Sequence, residues 1–244
     1  MFWSEYPRDV VQVSGPDALS YLHSQLSQDI RPLPVGASTW SFVLQPTGKV
    51  DVLVRVWRTS DEAFVMDTDA GFGDVLVARL NRFKIRVKAD IIVLPWRCLA
   101  VRGEGAGEVD GLVAWGGGVD LLEAAPKPPE GAVAGGAEQL LAARIGAGWP
   151  QMGSEIVPGD TIPAETGLNA VAVSFTKGCY PGQELVERMD SRGATAPRLL
   201  QVVSVAAGTQ AGAAYLVHDE LAGTVTSVSG TQALAYVKRS ALQH

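Results

Sequence analysis

The chain has 244 residues, 47% of them hydrophobic and 19% charged, with a formal net charge of −6. It is long and apolar enough for one large cored domain or two to three small ones. The acidic balance and the lack of any long charged block exclude a tail-driven disordered chain and a general binder of duplex nucleic acid, which needs many phosphate-neutralising cations.

In chain order, "DVVQVSG" alternates as a short strand. "SGPDALSYLHSQLSQDI" then predicts a helix, with Ser14 as cap, Pro16 in the first turn and Leu19, Leu22 and Leu26 on one face. "STWSFVL" and "KVDVLVRVWR" form a hairpin whose bend, "QPTG", carries Gly48. In its second strand Val50, Val52, Val54 and Val56 share one face, and Asp51, Leu53, Arg55 and Trp57 share the other. "EAFVMDT" is a strand, "GFGDVLVARLNRF" a helix by its apolar spacing, and "KIRVKADIIVL" a strand, followed by strands at "CLAVRG" and "GLVAW".

Residues 103–136 are rich in Gly, Ala and Pro and read as loops around short strands. "AEQLLAARIGAG" is a helix that Gly146 or Gly148 can stop. After Pro197 the pieces are short and β-rich, which predicts a small terminal barrel or sandwich. Helices and strands mix without strict alternation, so the fold class is α+β. Two cysteines do not make a disulfide framework, the first residues lack a basic segment followed by an apolar one, and no run approaches the roughly 18 apolar residues of a membrane span. The expected setting is the cytoplasm, with no membrane attachment.

The two cysteines differ in context. Cys98 lies in the apolar run "VLPWRCLAV"; Cys179 lies in "SFTKGCYPGQELVER". A thiolate is the reactive form of cysteine, and cations or turn amides favour it. Lys177 supplies a cation, Gly178 lets the backbone approach closely, and "PGQE" bends the chain. None of His23, His218 and His244 sits in a local motif, so a Cys–His hydrolase is not expected. With no Cys or His cluster, no metal is expected to be bound by this chain alone. The clusters "GEGAG" and "GGG" lack the helix and Lys-Ser/Thr pair of a phosphate loop. Arg79, Arg82, Lys84, Arg86 and Lys88 concentrate positive charge, either as a solvated face or as a cradle for a carboxylate tail or a short stretch of RNA. Asp51 and Glu165 are ordinary surface acids unless buried, where a carboxylate can accept paired hydrogen bonds from a donor-rich heterocycle.

"KGCYPGQE" resembles the signature of the YgfZ family, the folate-binding relatives of the glycine-cleavage T-protein (aminomethyltransferase). "DALSYLHSQLSQDI", "LQPTGKVDVLVRVWR", "LNRFKIRVKADI", "RIGAGWPQMGSEI", "IPAETGLNAVAVSFTKGCYPGQELVERMDSRG" and "AGTVTSV" with "ALAYVKR" follow in the family's order, so the resemblance covers nearly the whole chain. It implies a three-part cloverleaf around a central channel that accepts tetrahydrofolate. The expected units are 1–45 with 137–196, an inserted α+β unit at 46–136, and a β-barrel at 197–244.

The resemblance also implies a role in assembly or repair of iron–sulfur clusters, with iron–sulfur proteins or assembly factors as partners and tRNA modification supported indirectly. Glu165 and then Asp51 would read the pterin, with Arg82, Arg86 and Lys88 toward the glutamate tail. Cys179 and Lys177 would form the reactive pair, with Gly178, Tyr180, Gly182, Gln183, Glu184 and Arg188 building the loop. The alternative is a true folate-dependent aminomethyl transferase. Against it, the T-protein has an adjacent acidic pair where this chain has Asp51 beside Val52, and it lacks the Lys-Gly-Cys signature. A tRNA-binding module using the basic segment is disfavoured by the net charge.

Overall fold

The computed structural model describes residues 1–191 and 196–242. In chain order the elements are β1 (Phe2–Glu5), β2 (Arg8–Ser14), α1 (Ala18–Gln25), β3 (Ser38–Leu44), β4 (Val50–Ser60), β5 (Ala63–Asp69), α2 (Gly73–Phe83), β6 (Asp90–Leu94) and β7 (Arg97–Arg102). They continue as β8 (Leu112–Val113), β9 (Val119–Glu123), β10 (Val133–Ala134), α3 (Ala137–Gly146), α4 (Asn169–Ala172), α5 (Gln183–Ser191), β11 (Arg198–Ser204), β12 (Ala214–Val217), β13 (Glu220–Ser229) and β14 (Gln232–Lys238). The class is α+β, with three separate sheets among the described residues.

The first sheet runs β3-β4-β5-β2-β6 and the second β10-β1-β7-β9-β8. β4 carries the two stripes read from its sequence. Val52, Val54 and Val56 are sealed against α1 and α2 with Leu22, Leu26, Leu76 and Leu80. Each such valine contributes about 1.5–3 kcal/mol by leaving water. The opposite stripe is also covered: Leu53 packs in a core that includes Leu112 and Leu122 from the second sheet and Trp115 from the turn between β8 and β9. β4 is therefore buried on both faces at its centre.

The second stripe carries charge into that core. Arg55 bonds Asp67 at 2.9 Å and Asp120 at 2.8 Å; Arg8 bonds Asp67 at 2.8 Å and also Asp69; Arg102 meets Asp120 at 2.9 Å. Three guanidinium groups thus face three carboxylates, and the chain of contacts ties β2, β4 and β5 to β7 and β9. Burial alone would raise the Asp67 carboxyl, but the charges of Arg55 and Arg8 outweigh it and hold it below its ordinary value.

The third sheet runs β11-β14-β13-β12, and no β11–β12 pairing closes it among the described residues. The expected terminal barrel is therefore an open four-stranded sheet. It is fastened by α3, whose Arg144 donates to Glu155 and to Ser227 at 2.8 and 2.7 Å, while the Tyr236 hydroxyl donates to the Glu155 carbonyl at 2.8 Å.

Other departures have local causes. α1 starts at Ala18 because Ser14 is the last residue of β2, and Asp17 gives its carboxylate to the Lys88 N–H at 2.8 Å instead of capping the helix. The strand expected at 84–94 is confined to Asp90–Leu94, because α2 runs to Phe83 and Arg86 adopts φ +56°. β1 and α5 were not anticipated. The β3–β4 ladder, paired from Ser38↔Trp57 to Leu44↔Val50, straddles residue 45, where a unit boundary was drawn. No helix of the described residues is long and apolar enough to cross a membrane.

Candidate functional site

The Cys179 loop is built by contacts at both of its ends. On the N-terminal side Lys177 is buried, and its Nζ donates to the carbonyls of His23 and Leu26, each at 2.5 Å, and of Gln28 at 3.4 Å. These carbonyls belong to the last turn of α1 and the residues after it, which lack helical partners of their own. An ammonium has three protons, so this set uses all of its donors. The same Nζ lies 5.0 Å from the Tyr180 ring centroid. Lys177 therefore fastens the loop to α1, a role that its closeness to Cys179 in sequence did not suggest.

On the C-terminal side the loop meets the β3–β4 bend. Gly182 has φ +83°, and a Cβ there would lie 2.5 Å from the Gln45 carbonyl oxygen and 2.9 Å from the Gly48 Cα. Gly48, at φ +85°, is matched to it: a Cβ there would strike Leu185 at 2.4 Å. Only glycine allows this approach, so the two most distinctive stretches of the sequence touch through their glycines. Gln183 accepts the Tyr180 N–H at 3.3 Å and donates to Glu187 at 2.5 Å, and Arg188 bonds Glu184 at 2.5 Å on the outer side of α5.

Between these anchors, Gly178 and Cys179 are exposed. A Cβ at Gly178 would meet nothing within 4 Å. Cys98, by contrast, is 4% exposed, and burial pushes its thiol well above its ordinary value. Of the two sulfurs, Cys179 is the one open to a partner. The final motif residues, Arg192 and Gly193, lie outside the described residues, as does His244.

The two candidate acids are both engaged. Asp51, just past the Gly48 bend, accepts from Gln45 at 2.8 Å and pairs with Arg79 at 3.4 Å. Arg79 itself is buried, reaching the Leu44 carbonyl at 3.0 Å and stacking 4.0 Å over Phe83. Glu165, 5% exposed, sits in the 3-10 turn Pro163–Glu165 and accepts two parallel hydrogen bonds from Arg198, at 3.1 and 3.2 Å.

Arg82, Arg86 and Lys88 are exposed; Arg79 is the member of the basic run that turns inward to a candidate acid. Its signal was its position with Leu76 and Leu80 at helical spacing. Arg198 had no comparable signal beyond opening a strand after Pro197. Two polar atoms on flanking segments, Asn169 Oδ1 and Tyr180 Oη, are buried without a hydrogen-bond partner among the described residues. Burial pushes the Tyr180 phenol up to about 12.

No family model matches the chain. It is 30% identical over 193 residues to an uncharacterised protein of Haemophilus influenzae, covering 76% of this chain and 67% of that protein. It is 28% identical over 217 residues to the tRNA-modifying protein YgfZ of Serratia proteamaculans, covering 76% and 65% of the two chains. It is 26% identical over 232 residues to the human iron-sulfur cluster assembly factor IBA57, mitochondrial, covering 80% and 64%. In structure it matches the glycine cleavage system aminomethyltransferase T from Bartonella henselae with a TM-score of 0.79 at 19% identity, over 98% of this chain and 78% of that one. The chain belongs to the YgfZ family. It spans 52% to 67% of the length of such curated relatives. The structural match shows that the YgfZ-family chain shares the T-protein fold.

The anchoring of this YgfZ-family loop has a pH signature. Burial draws the Lys177 ammonium down from 10.5 to about 8. Between those values the unfolded chain holds more protons than the folded one, so raising the pH favours the fold. Stability is expected to gain an increment from pH 8 to 10.5 that falls away as pH drops through 8. Denaturant unfolding across that range checks it: the increment is present in the wild type and missing in Lys177→Met.

Proposed function

We propose that this protein is a tetrahydrofolate-binding accessory factor for iron–sulfur cluster assembly or repair, supporting tRNA modification indirectly. The observation that carries the reading is the contrast between a thiol exposed on a loop fastened at both ends and a second thiol sealed in the core. A sulfur held this way is open to a protein partner or to a transferred sulfur. The names of the YgfZ and IBA57 relatives support the same role.

The residues present fit a pterin. Each Glu165 oxygen accepts one hydrogen bond from Arg198, which leaves acceptor capacity on both for a ring that offers adjacent N–H donors. The orphaned Asn169 Oδ1 and Tyr180 Oη offer further partners on flanking segments. Asp51 would be a second acceptor, and Arg82, Arg86 and Lys88 would attract the glutamate tail. A bound reduced folate would supply one-carbon or redox-sensitive chemistry beside the loop. The proposal includes the three-part cloverleaf with a folate-sized channel, and units of 1–45 with 137–196, 46–136 and 197–244, subject to the β3–β4 ladder crossing residue 45. The T-protein-like fold supports the cloverleaf.

For the transferase alternative, the position after Asp51 matters. Val52 is fully buried against α1 and α2, so a second carboxylate there would face hydrocarbon. Complementation tests the accessory reading. In a strain lacking this factor, Cys179→Ser is expected to fail to restore the activity of a cluster-dependent enzyme, while Cys98→Ser restores it. Full rescue by Cys179→Ser would contradict the proposal.

A further inference from the structure

We propose that a second ligand site, for an alkylammonium cation, lies in the cleft between the first and second sheets, at the end of β4 remote from Asp51. The cavity there measures about 680 Å³, within the range of small-molecule sites. Trp57, at the far end of β4's second stripe, and Trp96, in the link between β6 and β7, both line it and are half-buried. Their rings meet with centroids 6.3 Å apart at 52°, so the pair forms an angled aromatic wall.

The charged groups of the lining are all acids: Asp110, Asp120 and Glu123. Asp120 is committed to Arg55 and Arg102. Asp110 and Glu123 are exposed and join no ion pair among the described residues. The nearby cations are occupied elsewhere. Arg97, opposite Glu123 in the ladder, pairs with Glu5, and Arg58 is held by Asp61 and the Leu33 carbonyl.

Aromatic faces with unpaired carboxylates and no competing cation select an organic cation, because the ring quadrupole and the acids both attract positive charge while the indoles exclude water. The cleft is separate from the Cys179 region. Six residues of extended strand place Trp57 about 20 Å from Asp51, and the buried side chains of Leu53 and Arg55 stand between them. The proposal therefore does not depend on folate binding.

Titration of the whole protein with choline, followed by calorimetry, tests the site, with 3,3-dimethyl-1-butanol as the uncharged analogue of the same shape. Saturable binding of choline and none of the neutral analogue is expected. Asp110→Asn with Glu123→Gln, at exposed positions that leave the fold intact, and Trp96→Leu should each weaken binding roughly three- to thirtyfold. A lysine-containing peptide forms a second arm: tighter binding of the peptide than of choline assigns the cation to a protein side chain, and the reverse assigns it to a small-molecule quaternary ammonium. Equal binding of choline and its neutral analogue, no saturable binding of either cation, or unchanged affinity in the double carboxamide variant would overturn the proposal.

Discussion

Arg55→Met is expected to lower stability by about 3–5 kcal/mol, a fall in Tm on the order of 10 °C for a chain of this size. The guanidinium is fully buried and bridges Asp67 to Asp120. Removing it leaves each carboxylate with one cation fewer in a site that water does not reach, and the surviving charges cost more than the lost pair contributed. Methionine replaces most of the volume, so the loss reports charge and not a cavity. Arg188→Ala makes the contrast: its pair with Glu184 sits in solvent, with the two side chains 50% and 87% exposed, and its loss should stay within about 0.5 kcal/mol. Thermal unfolding of both variants checks the pair of values, and equal effects would show that the buried network carries no special weight.

Gly182→Ala should cost about 2–4 kcal/mol, or roughly 5–12 °C in Tm. Two penalties combine. The backbone holds φ +83°, which a Cβ strains, and the new atom would sit 2.5 Å from the Gln45 carbonyl oxygen and 2.9 Å from the Gly48 Cα. Both obstacles are main-chain atoms of a tight bend, so neither can swing aside as a side chain would. Relief requires the hairpin and the loop to separate, which would release the C-terminal anchor of Cys179. Gly178→Ala is the matched control, since open space surrounds that position. Calorimetric melting of the two variants distinguishes a specific contact from general intolerance of the loop.

The features legible in the sequence are those encoded by local period. The alternation of Val52, Val54 and Val56 against Leu53, Arg55 and Trp57 assigned the two faces of β4, and Leu76 with Leu80 marked α2. Gly48 and Gly182 stood out individually, but their contact joins residues far apart in sequence and has no local signature.

The partners of the charged side chains lack a local signature for a related reason. Arg55 alternates with valines, which sets it on the second face of β4 but says nothing of its partners; Asp67 and Asp120 come from two other strands, one of them in another sheet. Lys177 was read beside Cys179 because only Gly178 separates them in sequence, whereas its ammonium reaches back to carbonyls of His23, Leu26 and Gln28. Glu165 and Arg198 likewise meet only when the third sheet docks. Sequence singled out the acids and the thiol as candidates; tertiary pairing decided which cations contact the acids.

Calorimetric titration of tetrahydrofolate into the wild type and into Glu165→Ala tests the account most directly. A saturable heat in the wild type that is lost or strongly weakened in Glu165→Ala is the expected result, because the ring would lose its paired acceptor while Arg198 keeps only its 3.8 Å contact with Asp160. Equal, negligible heats in the two proteins would contradict it.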